Sequence, residues 1–157
     1  MNKPSVLTSD NPRVPACNNP FSHRFEVQTR FTDIDMLGHI NNNVYLAMMD
    51  LAKIDYFNAV SGTRLTPDDM RMAVVHIGCD FYEPAYFTEQ LTVWTTITHI
   101  GTRSVTLEQR ITDASARSTK CIGTTVLAGF DPRTASGADI DPEMIARAER
   151  FEGRPLR

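Results

Sequence analysis

Residues 33–45 read D-I-D-M-L-G-H-I-N-N-N-V-Y and bring two carboxylates, a histidine, a glycine and a run of asparagines into one short stretch. A carboxylate can attack an acyl carbon itself or take a proton from water. His39, four residues after Asp35, can orient water, bond an acyl oxygen or protonate a leaving group. Asn41 and Asn42 are good helix-capping residues directly ahead of a long apolar run, so the free amides of a helix start lie next to the acids. Those amides and the positive end of the helix favour an anion or a developing oxyanion. A carboxylate beside an oxyanion site is the minimum needed to split an ester-like bond. Plainer roles compete for the same residues: a cap on its own turn for Asp35 and a strand-end or turn hydrogen bond for Asp33. For His39 the plain role is a backbone contact in a loop, for Asn42 a helix cap, and for Tyr45 a place in the core.

Two elements must position these groups. Upstream, Phe25, Val27 and Phe31 alternate with Arg24, Glu26, Gln28, Arg30 and Thr32, the period of a half-buried strand. Continued into the motif, this alternation puts Asp33 and Asp35 on the phenylalanine side at the strand's end. Downstream, about 43–60 is apolar at nearly every position, the pattern of a core helix covered on most sides. Gly62 is placed to close that helix in the left-handed conformation. Gly38 supplies a turn that other residues resist.

Beyond the helix, Thr66 and Pro67 open a short turn, and a strand is predicted over 73–82, broken off by Pro84. The run 90–100 is rich in β-branched residues and should pair with 104–111 through a tight turn at 101–103. A last strand over 120–130 has Gly123 and Gly129 as possible bulge points. Asp141 and Pro142 open a closing helix. The sum is an α+β domain in which an antiparallel sheet of about five strands wraps around a long central helix.

The pattern D-x-D-x-x-G-H-x-N-N-x-x-Y, carried by Asp33, Asp35, Gly38, His39, Asn41, Asn42 and Tyr45, resembles the signature of the hot-dog-fold acyl-CoA thioesterases. That group is typified by 4-hydroxybenzoyl-CoA thioesterase and related to the acyl-carrier-protein thioesterases of plants, and the likeness spans roughly 25–153. It implies a hot-dog fold that hydrolyses acyl-CoA to free acid and coenzyme A, in a homodimer joined edge to edge or a dimer of such dimers. It also implies Asp35 as nucleophile or as general base, and the Asn42 amide as oxyanion donor. The plant relatives use a histidine matching His39 but have asparagine where this chain has Leu37, which shifts the weight to Asp35 acting with backbone amides. Gly38 and Tyr45 are implied substrate contacts. Arg103 and Ser104 match the region where relatives hold the phosphates or pantetheine of the coenzyme, and arginine suits phosphate through paired donors. Phe81, Tyr82, Tyr86, Phe87 and Trp94 form an aromatic group that suits the core or a dimer interface. Where some of them line a pocket, they suit an aromatic or cationic acyl group. A similarity to thioesterases of bacterial carnitine breakdown makes betainyl-CoA a candidate. Two rivals are a hot-dog hydratase or dehydratase and an acyl-CoA-binding module without turnover.

The whole chain is 157 residues with a formal charge of −3. That length fits one domain, 21–157, behind a proline-bearing, weakly ordered arm at 1–20. The charge leaves no basic footprint for nucleic acid. Cys17, Cys79 and Cys121 are far apart and odd in number, which argues against a disulfide framework or zinc site and for a reducing cytoplasm. Nor do His23, His76 and His99 show metal-ligand spacing, and they are expected to be structural. No metal or redox cofactor is expected, because coenzyme A belongs to the substrate. No apolar run approaches the ~20 residues that span a membrane, and there is neither a G-x-S-x-G elbow nor a phosphate-binding glycine loop.

Overall fold

The β-branched runs pair into a sheet, and the long apolar run folds as the helix that the sheet must cover. The computed structural model describes residues 4–157. In chain order these form β1 (His23–Val27), α1 (Asn42–Ser61), β2 (Met72–Phe81), β3 (Leu91–Ile100), β4 (Ser104–Asp113), β5 (Thr119–Asp131), β6 (Ser136–Gly137) and α2 (Pro142–Glu152). Short 3-10 turns occupy Phe31–Asp33 and Pro67–Asp69. The sheet runs β1-β3-β4-β5-β2, with the short β6 added on β5, and every pairing is antiparallel. No helix among the described residues is long and apolar enough to cross a membrane.

Register explains which side chains meet α1. Val93 stands opposite Ile111, which stands opposite Cys121, so alternation carries one face of β3, β4 and β5 to the helix. Around the first half of α1, Tyr45, Met48, Met49 and Ala52 pack with Val93, Ile111 and Cys121. Around its second half, Tyr56, Phe57 and Val60 pack with Ile97, Leu107 and Leu127, joined by Ile145 and Ala148 of α2. The helix is less enclosed than its composition predicts, because Leu51 and Ile54 are more than half exposed. The sheet of one chain curls around one side of α1 only.

The glycines of β5 do not mark bulges. Register shifts fall instead between Val74 and His76, between Ile97 and His99, and between Ile111 and Thr112. Gly123 and Gly129 permit close approach: a Cβ on Gly123 would lie 2.5 Å from Met49 Sδ, and one on Gly129 would lie 2.1 Å from the Ala138 carbonyl oxygen. The first lets α1 settle on the sheet. The second lets the chain return beside β5.

α2 is locked to the rest of the core by one carboxylate. Glu152 is 2% exposed and accepts hydrogen bonds from the Tyr56 hydroxyl at 2.6 Å, Thr96 Oγ1 at 3.0 Å, the Ile97 amide at 3.1 Å and Ser22 Oγ at 3.2 Å. Burial, together with the Glu152 charge, pushes the Tyr56 phenol well above its usual range, so it stays a donor to that carboxylate. Glu152→Gln turns one acceptor oxygen into a donor facing other donors. We expect it to cost about 2 kcal/mol of stability, read as a lower midpoint in chemical denaturation with the slope unchanged.

Residues 4–20, expected to be a weakly ordered arm, carry no regular element beyond a bridge between Ser5 and Phe21. They nevertheless run across the outer face of the sheet and are tied to it. Leu7 is buried. Arg110, whose side chain points away from α1, donates to the carbonyls of Pro15 at 2.8 Å and Ala16 at 3.4 Å. A buried guanidinium has more donors than a sheet face can satisfy, and the arm's carbonyls take them up. Residues 1–3 of the expected arm lie outside the described residues.

Candidate active site

The expected continuation of β1 into the motif does not occur. The strand ends at Val27, and Phe31, expected on the buried side, is 83% exposed in a 3-10 turn. Asp33 closes that turn by accepting from the Arg30 amide at 2.7 Å. A turn resets the phase of an alternating pattern, so the strand's period no longer dictates where Asp35 points.

The acid is placed by loop closure instead. Ile34 and Ile40 form an isolated bridge, within which the Asp35 amide donates to the His39 carbonyl at 2.9 Å and the Gly38 amide to the Asp35 carbonyl at 3.0 Å. Gly38 sits at φ +76°, a left-handed conformation that favours glycine. Two further bonds fix the loop from outside: Ile40 N to the Ala85 carbonyl at 2.9 Å and Asn41 N to the Asp33 carbonyl at 2.8 Å. The chain then enters α1 with Asn41 as N-cap, its side chain accepting from Asn43 N at 2.9 Å. Asn42 is therefore the first helical residue, and among the described residues its backbone N–H has no partner.

These closures bring Asp35, His39, Asn42 and Tyr45 around one pocket of about 210 Å³, whose remaining wall is Leu37, Ile40 and the segment Phe81, Tyr82, Glu83 and Pro84. Asp35 uses Oδ1 to accept from Leu37 N at 2.8 Å; among the described residues Oδ2 has no partner. The turn cap thus uses one of the two carboxylate oxygens. His39 is half-buried, its ring set edge-on to Tyr86 at 5.2 Å. Tyr45 is 2% exposed and packs edge-on against Phe81 at 5.3 Å. Burial pushes its phenol up to about 12, so it serves as neutral wall and not as an acid or base. The thiols of Cys79 and Cys121 beneath this region are also pushed up by burial, which keeps them from competing as nucleophiles.

Other expected contacts lie elsewhere. Gly38 shapes the loop but is not part of the pocket wall. Arg103 and Ser104 stand at the far end of β4. Ser104 pairs with Ala128 while Ile111, seven residues on, pairs with Cys121 beside Phe81, which separates them from the pocket by roughly 20–25 Å along the strand. Arg103 is paired with Asp139 at 2.8 Å. The aromatic group divides too, because Trp94 points to the outer face, with Nε1 donating to Thr112 Oγ1 at 3.0 Å. Glu83 and Pro84 were not foreseen as wall residues. Their only sequence signal is their position just past a strand that Pro84 ends.

A larger cleft of about 870 Å³ opens at the other end of α1, over Phe57, Val60, Met72 and Met144. Several of its acids are already engaged: Asp139 with Arg103, Glu143 with Arg147, and Asp141 as the cap of α2. Among the described residues no group of three or more His, Cys, Asp or Glu is placed to hold a metal ion.

Comparison with known proteins places the fold and the family. Residues 37–120 match the family model of the Thioesterase superfamily. A thioesterase from Thermus thermophilus, solved in complex with coenzyme A and Zn, superposes with a TM-score of 0.75 at 29% identity, over 87% of this chain and 98% of that one. A predicted thioesterase from Bacillus stearothermophilus superposes with a TM-score of 0.75 at 21% identity, over 84% and 97%. For a 1,4-dihydroxy-2-naphthoyl-CoA thioesterase from Synechocystis the TM-score is 0.70 at 20% identity, over 84% and 98%. No curated protein matches the chain. An antiparallel sheet curled on one helix, shared with these structures, is the hot-dog fold, and the family match makes the protein's class that of a thioester hydrolase. The chain belongs to the thioesterase superfamily.

Proposed function

We propose that the protein hydrolyses an acyl-CoA to the free acid and coenzyme A, with Asp35 as the reacting carboxylate and the Asn42 amide as oxyanion donor. The observation that carries this reading is the meeting, in one pocket, of a carboxylate oxygen and the first amide of α1 that have no partner among the described residues. In the general-base route Asp35 takes a proton from water as the oxygen adds to the thioester carbonyl. The negative charge then rests at the helix start, and collapse expels the thiolate, which takes the proton that Asp35 removed from water, with His39 in the same pocket to relay it. In the nucleophilic route Asp35 adds to the carbonyl and expels the thiolate, and water then cleaves the resulting anhydride.

The pocket lining narrows the acyl group. About 210 Å³ is below the usual ~300–1,000 Å³ of ligand pockets, so one chain by itself supplies only part of an acyl site. Tyr45, Phe81 and Tyr82 supply aromatic groups and Asp35 and Glu83 supply carboxylates, and among the described residues the cations nearest the wall, Arg13 and Lys120, bond its backbone carbonyls from outside the lining. This combination suits a small cation, and betainyl-CoA is the candidate that the lining supports. Thiol release measured across aromatic, short, long-chain and cationic acyl-CoAs tests the reading. Hydration of a 2-enoyl-CoA faster than cleavage of its saturated counterpart would replace it with the hydratase, and binding without release with the acyl-CoA-binding module.

The working unit in this reading is a pair of chains in a reducing cytoplasm. β2 ends the sheet with an unpaired edge on which Val74 is 50% and Val75 63% exposed, a liability unless another strand covers it. Antiparallel pairing of two such edges sets the Met72 end of one chain beside the Phe81 end of the other. Arg103 of the partner subunit then comes to the side where Asp35 lies, within reach of the coenzyme's phosphates. Val75→Lys is expected to yield a monomer by light scattering, with thiol release falling at least about tenfold. A variant still paired and fully active would remove the edge from the argument.

A further inference from the structure

We infer that the N-terminal segment belongs to the acyl site: Arg13 is a positioning residue that holds the 81–84 wall of the Asp35 pocket through the Tyr82 carbonyl. The inference rests on reading that pocket as the acyl site. Phe81 is the last residue of β2 in register with β5, so beyond it the wall is no longer held by the ladder. Most of the bonds that replace the ladder come from the start of β5. Tyr82 N and Glu83 N donate to the Lys120 carbonyl at 2.9 and 3.4 Å. Lys120 Nζ, itself paired with Glu89 at 2.7 Å, donates to the Pro84 carbonyl at 3.1 Å. Ser118 Oγ donates to the Glu83 carboxylate.

The Tyr82 carbonyl is left, and among the described residues it accepts only from the Arg13 guanidinium, at 3.0 Å. Arg13 is delivered from a fixed base. On one side Asp10 is ion-paired with Arg117 and its amide donates to the Arg117 carbonyl at 2.9 Å. On the other, Pro15 and Ala16 are held by the buried Arg110. Between these anchors a turn closes, with Arg13 N on Asn11 Oδ1 at 3.0 Å and Val14 N on the Asn11 carbonyl at 3.1 Å. Arg13 is itself exposed; the closed turn fixes where its side chain leaves the backbone, and the Tyr82 carbonyl is what fixes the guanidinium.

The wall faces the loop that carries Asp35 and the Asn42 amide, and those groups keep their own bonds when Arg13 is lost. Arg13 therefore bears on how the acyl group is seated and not on the acid or the oxyanion donor. In the full-length protein, Arg13→Ala should raise KM for the best member of the acyl-CoA panel about three- to tenfold, with kcat within about twofold. Arg13→Lys should recover part of the loss, and the denaturation midpoint should not move. Hydrogen exchange followed by mass spectrometry should quicken at residues 81–84. An unchanged KM with unchanged exchange overturns the inference, as does an equal loss for every acyl group that tracks the fraction unfolded. The exchange measurement needs no turnover, so a failure of the strap is told apart from a failure of the thioesterase reading, which shows as wild-type protein releasing no thiol.

Discussion

Asp35→Asn should lower thiol release by about 10²–10⁴-fold while leaving the fold intact, because a positioned carboxylate used as a general base is worth that order. Asparagine retains Oδ1, the atom that accepts from Leu37 N at 2.8 Å, so the turn keeps its cap. What it loses is the charge on the second oxygen. Were Asp35 only a turn cap, Asn would be nearly silent, and Ala would cost about 1 kcal/mol of stability with activity preserved. Paired assays of turnover and denaturation separate the two outcomes, and an Asp35→Asn variant with more than a tenth of wild-type turnover would end the carboxylate's chemical role. A single turnover in heavy-oxygen water then divides the routes. Label in the Asp35 carboxylate marks the nucleophile, and label confined to the released acid marks the general base.

Asn42→Pro is the second substitution with a large expected effect, and it removes one hydrogen atom's worth of chemistry from the backbone. Asn42 is the first residue of α1, the position where proline is favoured because its missing N–H breaks no helical bond. Proline also demands an extended residue before it, and Asn41 already has φ −62° and ψ 141°. The helix should form as before. The amide proposed as oxyanion donor, however, is gone, and loss of one such donor costs on the order of 10²–10³ in kcat, about 3–4 kcal/mol in the transition state. Asn42→Ala keeps the amide and should keep most of the activity, which distinguishes the backbone group from the side chain. Normal turnover in a well-folded Asn42→Pro protein would move the oxyanion site elsewhere.

Much of this site is legible in the sequence because its parts are local. An N-cap asparagine, an apolar run of helical length and Gly62 at φ +72° define α1 within a residue of its expected ends. The β-branched runs mark β2 to β5 nearly as well. Local alternation misled at one place, Phe31, where three residues of 3-10 turn break the phase. A two-residue period has no memory across a turn. The acid still reaches the helix start, through the bridge between Ile34 and Ile40 and the bond from Ile40 N to the Ala85 carbonyl.

What the sequence determined by itself is the chemistry on offer: a carboxylate, a histidine and a capped helix start within thirteen residues, on a chain patterned for one sheet and one buried helix. Propensity, capping and turn residues act over a few positions and can be read there. Only the tertiary structure decided what encloses that chemistry. The Phe81 to Pro84 wall, the Arg13 contact across 69 residues and the Glu152 knot reaching Ser22 across 130 join parts of the chain with no shared pattern. The Glu152 knot exists because buried donors and acceptors must be satisfied by whatever the fold brings near, while the Arg13 bond is a surface contact that the same fold brings within reach, and the order of residues along the chain carries neither.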